Sequence, residues 1–371
     1  MRRHSALAVL ISLFFLYLFA FQPQPGAWFH GSLDWRAAFF SSRVDWPQVG
    51  RLLLDLRPLP FLGALLCLVL SLVIRAWRWR VISGPLDRVP LVRMFHLTNL
   101  GYMANNLLPM RLGEVLRAGA LSARSRIPMA GALATIVLER VLDMAGALGV
   151  LLLMLLLQGE LFAVGTAGSE DGLAMLSRFR GLLPLLGGVT CLGLGLLAGL
   201  VIWRQRFLDR VEGLLLRFLP RKVANRLCGL FHSFARGLEI LRSPWEALLL
   251  LVLTGLLNAC YLASLGAMIH AYHLGDVLPA FHAAPVASLL LLLVFVSLGY
   301  MIPAAPGAFG TVQYFTALAM GLLGAGTEQA MSFALGNHLI TWLLLTLLGL
   351  LALPLLRLSF ADLMQWKEKG A

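Results

Sequence analysis

Apolar residues fill this chain in long runs separated by short polar stretches, and that alternation predicts helices that cross a membrane. A helix needs about 20 apolar residues to span the hydrocarbon core. Runs at 6–21, 59–76, 129–157, 182–203, 245–270, 285–301 and 333–356 are read as spans. Two weaker apolar stretches, 94–109 and 310–325, are interrupted by Gly, Pro and polar residues. The expected fold is all-α: a polytopic membrane helix bundle of about 7–9 membrane segments, with broken or re-entrant helices near Pro109 and Pro306. It forms a single integral membrane domain over 1–371.

The first run follows Met1-Arg2-Arg3-His4, which resembles the start of a signal peptide. Phe19-Ala20-Phe21-Gln22-Pro23 is too bulky for a small-residue cleavage site, so the run is read as an uncleaved span with the N-terminus inside. Charge orients the rest. With 22–57, 158–180, 271–284 and 326–332 outside, nearly all Lys and Arg beyond Arg36, Arg43, Arg51, Arg57, Arg178 and Arg180 fall on the inner side. This asymmetry predicts an N-in, C-in arrangement. Arg75, Arg78, Arg80, Arg88 and Arg93 then lie inside, as do Arg124 and Arg126. The stretch 94–123 must leave and return on one face, as a re-entrant pair of half-helices or a pair of short spans. Non-helical backbone at membrane depth survives only when buried in protein or lining a wet cavity. The break Asn105-Asn106-Leu107-Leu108-Pro109 suits that role, because the amides of Asn105 and Asn106 can satisfy freed backbone groups.

Composition agrees. Of 371 residues, 59% are hydrophobic and 13% are charged, against about 25% charged in a soluble domain. The net charge of +12 lies in loops on one side of the membrane, so it is a topology signal and no nucleic-acid partner is expected. Cys67, Cys191, Cys228 and Cys260 form no C-x-x-C pair, and small apolar packing is their expected role. Trp77 and Trp79, between Arg75, Arg78 and Arg80, read as an interfacial belt. Residues 204–244 carry nine arginines and lysines with apolar positions at helical spacing. They predict a cytoplasmic basic amphipathic helical hairpin, either as plain topology signal or as a surface for anionic headgroups.

A faint internal repeat runs through the chain. Gly101-Tyr102-Met103 leads to Pro109 and Gly113, and Gly299-Tyr300-Met301 leads to Pro306 and Gly310. Broken segments in corresponding halves point to a transporter's binding site, and here they would face one another. Charge accompanies the first break. Arg111, Glu114 and Arg117 recur every third residue, and Glu139, Arg140 and Asp143 lie in the first half of the 129–157 run. A charge at the bilayer centre costs roughly 2.5–3.5 kcal/mol on insertion scales, so such residues pair and mark sites. Three carboxylates and three arginines can neutralise one another as a packing network. They can equally line a polar cavity for an anionic headgroup, since the guanidinium fork donates two parallel hydrogen bonds to phosphate. Asn105 and Asn106 join the candidate binding set. The second break, Ile302-Pro303-Ala304-Ala305-Pro306-Gly307-Ala308-Phe309-Gly310, carries no charge. With Gly113 and Pro109 of the first break, its Pro303, Pro306, Gly307 and Gly310, followed by Gln313, are the candidate hinge or gate residues.

The motifs N-N-L-L-P-M-R-L-G-E-V-L-R, L-E-R-V-L-D and I-P-A-A-P-G-A-F-G-T-V-Q resemble the lysylphosphatidylglycerol synthase transmembrane-region family over roughly residues 50–355. Members of that family often carry an acidic residue shortly after the last glycine, where Gln313 stands here. The resemblance implies a flippase-like bacterial inner-membrane protein that moves or handles lipid. The synthase members continue into a soluble transferase domain, whereas this sequence ends shortly after its last span, so aminoacyl transfer by the chain alone is not expected.

His270, His273, Asp276 and His282 are too sparse for a metal-site expectation, and no cofactor is expected. A P-loop and a GxSxG elbow are both absent from the sequence. Three functions compete. The first is a lipid transporter for an anionic or aminoacylated phospholipid or a polyprenyl-phosphate lipid. The second is a non-catalytic scaffold for a lipid-modifying or glycosyltransferase partner. The third is an intramembrane headgroup enzyme using Glu139 or Asp143 as base.

Overall fold

The computed structural model describes residues 2–21, 45–108, 112–157, 243–302 and 305–358, with isolated positions at 188, 191, 192, 213 and 217. The expected span 182–203 and the hairpin 204–244, single positions apart, lie outside the described residues, as do Pro109, Arg111 and Pro303.

All regular structure among the described residues is helical: α1 (Arg2–Ala20), α2 (Trp46–Leu54), α3 (Pro58–Ser83), α4 (Leu91–Leu107), α5 (Leu112–Ser122), α6 (Met129–Leu156), α7 (Pro244–Ala271), α8 (Leu274–Val277), α9 (Pro279–Ala283), α10 (Pro285–Met301), α11 (Thr311–Leu322) and α12 (Thr327–Leu355). This is a helical membrane bundle. Helices α3, α7 and α12 are long and apolar enough to cross a bilayer. Helix α6, at 28 residues, matches them in length but carries Glu139, Arg140 and Asp143. Prolines open α3, α7 and α10, where a missing N–H costs no helical hydrogen bond.

Two boundaries differ from the sequence reading. Helix α3 runs past residue 76 to Ser83, because arginines interrupt hydropathy without interrupting a helix. Residues 327–332, expected in an outer loop, form the first turns of α12.

The helices fall into two matching sets. Helices α3, α4, α5 and α6 have 26, 17, 11 and 28 residues. Helices α7, α10, α11 and α12 have 28, 17, 12 and 29. Gly299 follows Gly101 by 198 positions, and Thr327, the first residue of α12, follows Met129 of α6 by the same 198.

The two sets are inverted with respect to each other. Along α3 and α7, Arg57 N donates to Ala271 O at 2.9 Å, Ser264 Oγ donates to Ala64 O at 3.2 Å, and Arg78 Nη1 donates to Thr254 Oγ1 at 3.1 Å. Partner numbers fall as α3 numbers rise, so the two leading helices are antiparallel. Helix α4 likewise runs antiparallel to α12, with Asn106 beside Trp342 and Thr346 and Met103 against Gly349.

Each set encloses a short helical hairpin closed at glycine. A Cβ on Gly101 would stand 2.8 Å from Arg117 Cδ, and one on Gly113 would collide with the Gly101 carbonyl. A Cβ on Gly299 would stand 2.7 Å from Val312 Cα. Small residues let helix backbones approach where lipid supplies no hydrophobic drive for association. The remaining helices brace these sets: α2 packs on α12, and α1 packs on α11 and the second break.

Candidate functional site

Polar side chains from five helices meet beside the first hairpin. The face of α3 carrying Ser71, Arg75 and Arg78 is buried, and its two guanidiniums turn toward α6. Arg75 Nη1 donates to Glu139 Oε1 at 3.0 Å and Asp143 Oδ2 at 2.9 Å, while Nη2 donates to Tyr261 Oη on α7 at 3.0 Å. The same guanidinium lies 5.7 Å from the ring centre of Tyr102 on α4. Arg78 pairs with Asp143 and donates to Thr254 on α7. From α5, Arg117 Nη2 donates to the second oxygen of Glu139 at 2.7 Å. Arg117 also covers the Trp79 ring at 4.7 Å, and Trp79 Nε1 donates to Thr135 Oγ1 at 2.9 Å.

Glu139 is fully buried and joins α3 to α5 through both its oxygens. Removing one partner of such a pair costs about 3–5 kcal/mol, because the other charge stays behind in a medium that cannot solvate it. The network is therefore a structural tie as well as a candidate site. It is not closed, however. Arg140, whose side chain is 38% exposed, lies on its open side with the partly exposed Glu114 and Asp143. Two of its contacts are long, Nε to Glu114 Oε1 at 3.4 Å and Nη2 to Glu139 Oε1 at 3.6 Å, while Nη1 lies 3.1 Å from Asp143 Oδ2. Among the described residues, Arg75, Arg78, Arg117 and Arg140 face only Glu114, Glu139 and Asp143, leaving one positive charge in excess. The Nε groups of all four arginines are buried without a hydrogen-bond partner.

The structure thus brings together Glu114, Arg117, Glu139, Arg140 and Asp143, with Glu114 facing Arg140 of α6. Asn105 and Asn106 hold backbone. Asn105 Oδ1 accepts from Gly113 N at 2.9 Å across the first break, and Asn106 Nδ2 donates to Trp342 O and Thr346 Oγ1 on α12.

Arg75, Arg78, Tyr102, Thr254 and Tyr261 escaped the sequence reading. Loop charge places Arg75 and Arg78 on the inner side and Trp79 in an interfacial belt. All three are buried, whereas Trp77 is exposed. The signal available was helical spacing: Ser71, Arg75 and Arg78 share a stripe on an otherwise apolar helix.

The second break has a different chemistry. Gly307 and Gly310 take φ values of 71° and 90°, conformations that glycine adopts without a Cβ penalty. Gln313 Oε1 accepts from Gly310 N at 2.7 Å and so caps α11. Ala305 N donates to Ser12 Oγ of α1 at 2.7 Å. His338 Nε2 meets Gly307 O at 2.9 Å, with Phe309, Trp342 and Tyr300 around the imidazole.

Comparison with known families decides the kinship, since the family model for the lysylphosphatidylglycerol synthase transmembrane region matches residues 5–349. The chain belongs to that family. The match takes in both hairpins, every residue of the charged network and all but the last turns of α12. Neither the curated proteins nor the solved structures contain a match to the chain.

Proposed function

We propose that this member of the lysylphosphatidylglycerol synthase transmembrane-region family is a flippase-like lipid transporter. Its cargo is an anionic or aminoacylated phospholipid or a polyprenyl-phosphate lipid. The observation that carries the reading is the buried network, with one positive charge in excess among the described residues and one partly exposed guanidinium, Arg140, two of whose three ion pairs are long. A lipid phosphate would take the place of the long contacts to Glu114 and Glu139, while the tail stays in the bilayer. Arginine suits this role because its planar fork is weakly hydrated and binds phosphate bidentately. Glu114 and Asp143, on the same open side, would hold Arg140 in place or receive an ammonium on an aminoacylated headgroup. The two inverted helix sets support transport, because repeats of opposite direction around a midplane site allow alternating access.

The test is transbilayer movement in proteoliposomes with headgroup-labelled anionic phospholipid, its lysyl ester and a polyprenyl phosphate. Faster movement of at least one lipid than in protein-free vesicles is expected. Folded protein that moves none of the three would overturn the reading in favour of a scaffold. A chemically altered lipid at the end of the assay would favour an enzyme instead.

A further inference from the structure

The inverted sets differ in one informative place. Shifting by the 198 positions that relate Gly101 to Gly299 carries Glu139 and Arg140 of α6 onto Asn337 and His338 of α12. The first set thus holds a permanent cation where the second holds an imidazole, which can be neutral or charged.

His338 is 1% exposed, yet only one of its ring nitrogens has a partner. Gly307 O can only accept, so Nε2 carries the hydrogen of that 2.9 Å contact. Nδ1 is left with a lone pair and no neighbour to donate to it. The surroundings are aromatic: Phe309 of the second break at 4.8 Å between ring centres, Tyr300 of α10 at 6.0 Å, and Trp342 one turn along α12. Helix α4 presents Asn106, whose amide is committed to Trp342 O and Thr346. Tyr314 of α11 turns away, against Phe15 of α1. Among the described residues Tyr300 is the only titratable side chain in ring contact with His338, and no carboxylate or guanidinium forms an ion pair with it. In this arrangement a second proton would create a buried charged N–H without an acceptor, an outcome that favours a different arrangement of the loop.

We infer that His338 is a proton-binding site of the second break: a proton on Nδ1 leaves a buried charged N–H without an acceptor, which favours a different arrangement of the Gly307 loop and drives the conformational step of transport. This rests on the transport reading and supplies its energy source. The arrangement described here is the neutral state, and the protonated state gives the second helix set the cation that Arg140 gives the first.

The test uses full-length protein and His338→Gln, whose amide can still donate to Gly307 O but cannot titrate. Lipid movement is recorded in proteoliposomes with and without an imposed pH difference, and the ratio of the two rates is compared. Wild type is expected to show a several-fold ratio and His338→Gln a ratio near one, whatever its absolute rate. An equal ratio in both proteins overturns the inference, as does a wild type that moves lipid without any response to pH. A second measurement does not depend on transport. Trp342 emission, isolated against Trp342→Phe, is titrated between about pH 8 and pH 3, a range that reaches well below an ordinary histidine because the ring is buried. A transition present in the wild type and lost in His338→Gln supports the proton site even if no lipid moves, which would count against the transport reading alone. A wild type without the transition overturns the proton site.

Discussion

Glu139 holds guanidiniums from α3 and α5 at once, so its carboxylate decides whether the first hairpin stays docked. Glu139→Gln keeps the shape and removes the charge. Arg75 and Arg117 then share a buried space with less compensation, and the expected loss is about 3–5 kcal/mol. Thermal unfolding in detergent should show a clear fall in midpoint for Glu139→Gln. The double variant with Arg117→Gln should lose less than the sum of the two single ones, because both act on one bond. An additive result would mean that the contact carries no coupling. The acidic side of this network was legible in the sequence, since Glu139 and Asp143 interrupt an apolar run. Arg75 and Arg78 were not, because arginines close to the end of an apolar run read equally well as topology signal. Only the packing of α3 against α6 and α7 separates the two meanings.

At the scale of the element, the hairpins depend on backbone contact at glycine. A methyl group on Gly113 would collide with the Gly101 carbonyl and crowd Asn105, whereas one on Gly149 of α6 would meet nothing within 4 Å. Gly113→Ala is therefore expected to destabilise the protein by about 1–3 kcal/mol. Gly149→Ala should be neutral or slightly stabilising, since alanine is the better helix former. Equal melting behaviour of the two variants would show that α4 and α5 do not touch there. The repeated Gly-Tyr-Met pointed to these paired breaks from sequence. The matching helix lengths could not be read that way, because polar residues in α4 and α5 blur their hydropathy. A capping residue such as Gln313 is equally invisible until its glycine partner is placed.

Among the described residues, two helix sets share their order and similar lengths, and their leading helices α3 and α7 run antiparallel. The exposed α3–α4 connection at Arg88 and the exposed α9 residue Ala283 should therefore face opposite sides of the membrane. Arg88→Cys and Ala283→Cys, each in a background without native cysteines, should be labelled by an impermeant thiol reagent from opposite faces of oriented vesicles. Labelling of both from one face would contradict the inverted arrangement. Apolar run length and loop charge made the bundle legible. The inversion became visible only when α3 and α7 were seen to pair antiparallel, a long-range contact that local patterns do not encode.

The proposed headgroup site lies at the open side of the charged network, and Arg140 is the residue that tests it. Its side chain is partly exposed and two of its three ion pairs are long, so its loss should not unfold the protein. The decisive measurement is movement of the fastest-moving lipid by wild type, Arg140→Lys and Arg140→Gln in proteoliposomes. Loss of a charge-assisted hydrogen bond to phosphate is expected to slow Arg140→Gln by about tenfold or more, with Arg140→Lys in between. Folded Arg140→Gln that moves lipid at the wild-type rate would contradict the account.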